Sequence, residues 1–126
     1  MTETAATGVG EAFAQALLSK KWGHLESLLN GEVDFRGLTP RKQWEASTPK
    51  DLIDTVFTQW FGPTVDIYEI TEIATERISD RHRVVYRFRV RRDEDDFVCE
   101  QTAYFDEADG RIVTLRILCT GFLPAG

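Results

Sequence analysis

The sequence predicts an α+β domain in which N-terminal helices pack on a strongly curved antiparallel sheet and form a cone with an internal pocket. Apolar residues recur at helical spacing in the first half of the chain, and from Val65 onward they alternate with polar residues. Because the helices come first and the strands last, a helical layer on a sheet is favoured over alternating βαβ units.

Two helices and a short strand are expected first. The apolar residues between Glu11 and Lys21 recur at helical spacing, and Gly23 separates this helix from a second one. Asn30-Gly31 ends the second helix, and the segment from Glu32 to Leu38 has room for a strand.

Two threonine–proline pairs predict two further helix starts, because each places a capping hydroxyl before a proline at the first helical position. The first pair, Thr39-Pro40, predicts a turn or two of helix through Trp44. The second pair, Thr48-Pro49, begins a longer amphipathic helix that ends at Gly62-Pro63.

Turn clusters after Val65 divide the rest of the chain into four antiparallel strands. A three-residue loop with Gly110 in the left-handed conformation would set Glu107 opposite Arg111 and Cys99 opposite Cys119. One face of the meander is then almost wholly apolar and carries Val84, Tyr86, Phe88, Val90, Phe97, Cys99, Gln101, Ala103, Phe105, Val113, Leu115, Ile117 and Cys119.

Composition and charge limit the classes of partner. The length of 126 residues predicts one domain at 11-126, preceded by a flexible N-terminus at 1-10. The net charge of -6 repels phosphate backbones, so we expect no nucleic acid partner. No apolar run approaches the roughly 20 residues that span a bilayer, and no export signal is visible, so we expect a cytoplasmic protein without membrane contact. Two distant cysteines without a nearby histidine predict no metal, and we expect no cofactor.

This order of parts, closed by the strand from Gly110 to Arg116, resembles the nuclear-transport-factor-2-like superfamily over nearly the whole chain. The resemblance implies a cone-shaped fold. The superfamily includes ketosteroid isomerases, SnoaL-like polyketide cyclases, scytalone dehydratase and limonene epoxide hydrolase, besides members that only bind or dimerise. The ketosteroid isomerase residues are missing here. The tyrosine donor of the ketosteroid isomerases would fall near Ala16, their base near Gly37, and their protonated aspartate near Gln101. Asp34 could replace the base only if the alignment shifts by several residues.

Gln101 and Tyr86 are the first candidates for ligand contact, since they are polar groups on an apolar wall. The alternative is that they satisfy each other or a buried water. Cys99 and Cys119 either form a redox clip or fill space as small apolar residues. Glu72 is either a buried acid or base on the inner face or a solvated edge glutamate.

Trp44, Trp60 and Tyr68 are expected to form an aromatic lid over the pocket, with ordinary core packing as the alternative. The segment from Gly37 to Lys50 is the expected entrance loop. The outer arginine row on the strand of Tyr86 predicts a homodimer through the outer sheet face, unless that face is solvated.

Two functions follow. The first is the binding of a small hydrophobic metabolite in the cone, with isomerase, cyclase or dehydratase activity of the SnoaL-like kind as its catalytic form. The alternative is a non-catalytic homodimeric binding or assembly module, and the sequence does not decide whether the protein is an enzyme.

Overall fold

A computed structural model describes residues 3–125 and has the expected α+β architecture. The helices are α1 (Glu3–Leu18), α2 (Trp22–Ser27), α3 (Pro49–Leu52) and α4 (Thr58–Trp60), the last two joined by a π-helical turn at Ile53–Phe57. The strands are β1 (Leu29–Thr39), β2 (Lys42–Ala46), β3 (Asp66–Ile78), β4 (Arg81–Arg92), β5 (Asp95–Ala108), β6 (Arg111–Cys119) and β7 (Leu123–Pro124).

The strands form one curved, unclosed sheet in the order β2-β1-β6-β5-β4-β3, with β7 paired to β5. The sheet is mixed rather than purely antiparallel, because β1 runs parallel to β6. This pairing joins segments distant in sequence, so no turn pattern signals it. The four-strand meander β3 to β6 is antiparallel, as predicted.

Helix α1 begins at Glu3, eight residues before the predicted start at Glu11. The sequence between these positions contains no proline, so the helical hydrogen bonds extend beyond the apolar stripe. Gly10 is buried against the sheet, and a Cβ there would lie 3.3 Å from the Phe105 ring. The domain boundary at residue 11 stays a prediction, and Met1 and Thr2 lie outside the described residues.

The two threonine–proline pairs have different outcomes. The Thr48 hydroxyl accepts a hydrogen bond from the Asp51 N–H at 3.1 Å and caps α3, as predicted. The predicted helix at Thr39-Pro40 is wrong, because Pro40 and Arg41 form the turn of the β1–β2 hairpin. Pro40 presets the φ of a turn as readily as that of a helix start, and Arg41 has a positive φ of 73°.

The register of β4 on β5 places Arg87 opposite Glu100 and Tyr86 opposite Gln101. The predicted register of β5 on β6 is wrong by two residues, since Gln101 rather than Cys99 lies opposite Cys119. Two changes produce this shift: the turn contains Asp109 and Gly110 alone, and a bulge follows at Val113.

The even shift keeps Leu115, Ile117 and Cys119 on the inner face, whereas the bulge buries Ile112 in place of the predicted Val113. Side chains of the helices and the sheet fill the interior of the cone. Phe13 on α1 and Phe57 before α4 have no exposed surface, and Phe13 meets both Phe57 and Tyr86 edge to face. The space expected to form a pocket is here a packed aromatic core.

Candidate functional site

Tyr86 and Gln101 lie side by side in the middle of the sheet. The Tyr86 hydroxyl donates a hydrogen bond to Gln101 Oε1 at 2.7 Å, and both residues are 0% exposed. They therefore adjoin neither solvent nor a void that could hold a water molecule. Burial raises the pKa of Tyr86 well above its ordinary value. The Tyr86 hydroxyl and Gln101 Oε1 satisfy each other, which is part of the alternative expectation, and ligand contact by these residues stays a prediction.

The Gln101 amide nitrogen, Nε2, is buried and has no hydrogen-bond partner among the described residues. Cys119 lies opposite Gln101 in the sheet, and its Sγ atom is 3.6 Å from Cys99 Sγ. The thiol of Cys99 lowers the pKa of Cys119 by donating to it, and Gln101 and the Gly121 N–H lower it further, while burial opposes them. The same contact raises the pKa of Cys99.

The expected aromatic lid does not form as predicted. Trp44 lies on β2 and meets Trp60 edge to face at a centroid distance of 5.9 Å, so both pack at the margin of the core. Tyr68 is 40% exposed on the outer side, where its hydroxyl accepts a hydrogen bond from Arg89 Nε at 3.2 Å. The expected entrance loop is mostly the β1–β2 hairpin.

The carboxylates considered from the sequence lie outside the cone. Glu72 is exposed opposite Arg87, because the β3–β4 turn has two residues rather than three, so its expected inner position is wrong and the edge alternative is confirmed. Asp34 is exposed and pairs with Arg116 at 3.3 Å. Gly37 is buried, and a Cβ there would lie 2.8 Å from the Phe35 ring, so no carboxylate base fits at that position.

A cleft of about 600 Å³ opens at the end of the sheet between α1 and the β3–β4 hairpin. His82 and Phe105 stack here with ring centroids 5.1 Å apart and planes 17° apart. Arg83 pairs with Glu76 at 2.8 Å, yet its Nε atom is buried and lacks a hydrogen-bond partner within residues 3–125. The lining comprises Val9, Gly10, Thr75, Glu76, Arg77, Asp80, His82, Arg83, Phe105 and Glu107.

None of the eight residues predicted as ligand contacts lines this cleft. Phe105 was correctly placed on the inner face, whereas His82 was not among the predicted site residues. Their meeting depends on the pairing of His82 with Phe105 across β4 and β5, a signal that the register of these strands contains. The contribution of α1 could not be read from the sequence, because Gly10 precedes the apolar stripe.

Within the part of the chain that the structure describes, no group of three or more His, Cys, Asp or Glu side chains could hold a metal ion. No helix in this same part is long and apolar enough to cross a bilayer. The lining of the cleft offers an aromatic wall, an imidazole and charged groups of both signs.

The fold is shared with several solved structures. A proposed isomerase from Rhodopseudomonas palustris matches 96% of this chain and 93% of its own length, with a TM-score of 0.73 and 16% identity. A proposed polyketide cyclase from Xanthomonas campestris pv. campestris matches 94% and 92%, with a TM-score of 0.72 and 16% identity. An LEH-like epoxide hydrolase from M. tuberculosis matches 92% and 83%, with a TM-score of 0.66 and 15% identity.

No protein-family model matches this sequence, and no curated protein has a matching sequence. The chain has the nuclear-transport-factor-2-like, SnoaL-like fold. The three structures named above, and a nuclear-transport-factor-2-like protein from Burkholderia thailandensis, are 14–16% identical in sequence to this chain. Structural similarity at this level of identity shows the fold alone and leaves the activity open.

Proposed function

We propose that the protein binds a small molecule with an apolar body and a polar acceptor group in the cleft between α1 and the β3–β4 hairpin. The stacked His82–Phe105 pair on the wall of the cleft, with Arg77 and Arg83 also in its lining, is the observation that carries this proposal. A ligand ring would lie against the aromatic and aliphatic wall. A carbonyl, hydroxyl or carboxylate oxygen would accept from the guanidinium group of Arg77 or Arg83.

The cleft suits a ligand of this kind. Its volume of about 600 Å³ falls in the range of small-molecule sites, roughly 300–1,000 Å³. Val9, Gly10 and Phe105 provide an apolar side, and the hairpin provides charged groups of both signs.

The interior of the cone supports binding less well. Tyr86 and Gln101 have no adjacent free volume, so a ligand could reach them only after displacing packed core side chains. The sequence-based proposal of a hydrophobic metabolite is therefore kept, and its position moves from the interior to the mouth of the sheet.

An isomerase, cyclase or dehydratase activity is the catalytic form of this proposal, and the isomerase and cyclase named among the matched structures support it by fold alone. His82 is the candidate for proton transfer, because histidine is the side chain most often used as a general acid or base and this one lines the cleft. The non-catalytic form is ligand storage or sensing in the same cleft. A cytoplasmic location is proposed on the sequence alone.

The test is saturation-transfer NMR with a panel of bicyclic and tricyclic ketones, alcohols and carboxylates. The chain has two histidines, so His82→Ala can be compared with the control His24→Ala on α2. Thr75→Trp, which fills the cleft, has a matched control in Thr71→Trp on the same strand. Both cleft variants should weaken binding by about tenfold or more, and both controls should bind normally.

Binding of a panel compound that neither cleft variant changes would contradict the proposal. Thermal melting of all four variants establishes that any loss of binding is not a loss of fold. The proposal would also fail if no panel compound binds and native mass spectrometry of the protein from its own source shows no retained ligand.

The second candidate is a homodimeric binding module that pairs through the outer face of the sheet. Leu118 and Leu38 are neighbours on this face, 50% and 49% exposed, and they border a shallow groove of about 270 Å³. Arg87 and Glu100, joined at 2.7 Å, could exchange partners across a two-fold axis. A second copy of the chain is therefore the proposed occupant.

Sedimentation velocity of Leu118→Asp and of the control Gln59→Asp tests this candidate, since both residues are exposed but Gln59 lies on α4, on the helical side of the sheet. A dimer that Leu118→Asp alone dissociates supports it. A monomeric wild-type protein at all accessible concentrations rules it out.

A further inference from the structure

The two cysteines of the chain form a close thiol pair at the end of β6. Their Sγ atoms are 3.6 Å apart and are not bonded to each other. Cys99 is 1% exposed, whereas Cys119 is partly exposed. One thiol can therefore meet a small reagent from solution, and the other lies behind it.

The surroundings of Cys119 favour its thiolate. The Gly121 N–H donates to Cys119 Sγ at 3.3 Å, and the buried Gln101 Nε2, opposite in the sheet, lacks any other partner within residues 3–125. A negative sulfur would accept from both groups and would satisfy the orphaned amide.

The backbone next to Cys119 also permits the two sulfurs to approach. Closing the gap to a disulfide bond of about 2.05 Å needs a movement of about 1.5 Å. Strand β6 ends at Cys119, and Gly121 follows with a φ of 78° in an irregular segment. The end of a strand can shift by this amount more easily than its middle, since fewer ladder hydrogen bonds hold it.

We propose that Cys119 and Cys99 form a redox-active dithiol in which Cys119 reacts with a hydroperoxide and Cys99 resolves the product as an intramolecular disulfide. The proposal concerns a site separate from the cleft, and it does not depend on the proposed function.

The reaction balances in two steps. The Cys119 thiolate attacks one peroxide oxygen, so an S–O bond forms, the O–O bond breaks, and the leaving oxygen departs as water or an alcohol after taking a proton. The sulfur of Cys99 then attacks Cys119, so an S–S bond forms and the S–O bond breaks. Hydroxide leaves and takes the Cys99 proton as water. The two thiols supply both electrons that the peroxide accepts.

Treatment of the reduced full-length protein with hydrogen peroxide, followed by intact-mass analysis and peptide mapping, tests the proposal. The expected result is a loss of about 2 Da, a Cys99–Cys119 cross-link, and recovery of both thiols with dithiothreitol. The rate constant for formation of the cross-link should not depend on protein concentration, because the disulfide forms within one chain. Absence of this cross-link, or disulfides between chains, would overturn the proposal.

Two single variants test the order of attack. Cys99→Ser should leave a Cys119 sulfenic acid that dimedone traps, whereas Cys119→Ser should leave Cys99 unlabelled in the folded protein. Both should label equally with maleimide after unfolding. Trapping at Cys99 instead would overturn the assigned roles. If either variant fails to fold by circular dichroism, the rate at which maleimide labels each cysteine of the folded wild-type protein decides the order, with Cys119 expected first.

Discussion

Replacement of the Tyr86–Gln101 pair tests whether the interior of the cone is a closed structural core. In Tyr86→Phe the Gln101 Oε1 loses its donor at 2.7 Å, and Nε2 is already unpartnered. Both ends of a 0% exposed amide are then unsatisfied. We expect Tyr86→Phe to lower the free energy of unfolding by about 1–3 kcal/mol.

Gln101→Leu leaves the buried Tyr86 hydroxyl without an acceptor, but it also removes the orphaned Nε2 and adds apolar volume. We expect a smaller loss, about 1–2 kcal/mol. In the double variant no polar group is left unpaired, so it should lie within about 1 kcal/mol of the wild type. With the double variant close to the wild type, the coupling between the two sites equals the sum of the single losses, about 2–5 kcal/mol.

Urea denaturation followed by tryptophan fluorescence measures all four proteins, and equal m-values verify that the transitions are comparable. Additive losses in the double variant would refute the closed pair, because they would mean that water or a ligand already satisfies each group separately. An unchanged stability of Tyr86→Phe would refute it as well.

Three further predictions concern local structure and pH. Thr48→Ala removes the α3 cap and should cost about 1 kcal/mol in urea unfolding, whereas Thr58→Ala, at a half-buried position that is no helix N-cap, should cost less than half of that. Gly121→Ala should cost more than about 1 kcal/mol, because its φ is 78° and a Cβ would meet a proline ring at 2.9 Å, whereas the unobstructed Gly23→Ala should stabilise α2. Because the pKa of Cys119 is lowered in the folded protein, ionisation of this thiol stabilises the fold increasingly as the pH rises toward the ordinary pKa of 9.0. This stabilisation is lost as the pH falls through the lowered pKa. Comparison of unfolding free energies at several pH values with those of Cys119→Ser checks the sign.

The inner and outer faces of the meander could be read from the sequence because alternation alone determines them. Val84, Tyr86, Phe88 and Val90 are all buried, and the arginines between them face outward. Turn length was harder to read. Asp109-Gly110 fits a two-residue or a three-residue loop, and the bulge at Val113 leaves no sequence signal that a single chain reveals.

The candidate site was less predictable than the fold. Whether a cone is hollow depends on the summed volume of side chains from elements distant in sequence, and Phe13 and Phe57 from two helices fill this one. The contact between Gln101 and Tyr86 followed from register and was predicted. The cleft required the position of α1 over Phe105, which the early helix start and Gly10 determine.

The most direct test of ligand binding at the mouth of the sheet is a 1H–15N correlation spectrum of the labelled protein, titrated with a panel compound that binds. The account predicts that the largest shift changes occur at the amides of Gly10, Thr75, His82 and Phe105, and that those of Tyr86 and Gln101 change little. Changes centred on Tyr86 and Gln101 would contradict it, because they would place the ligand inside the cone.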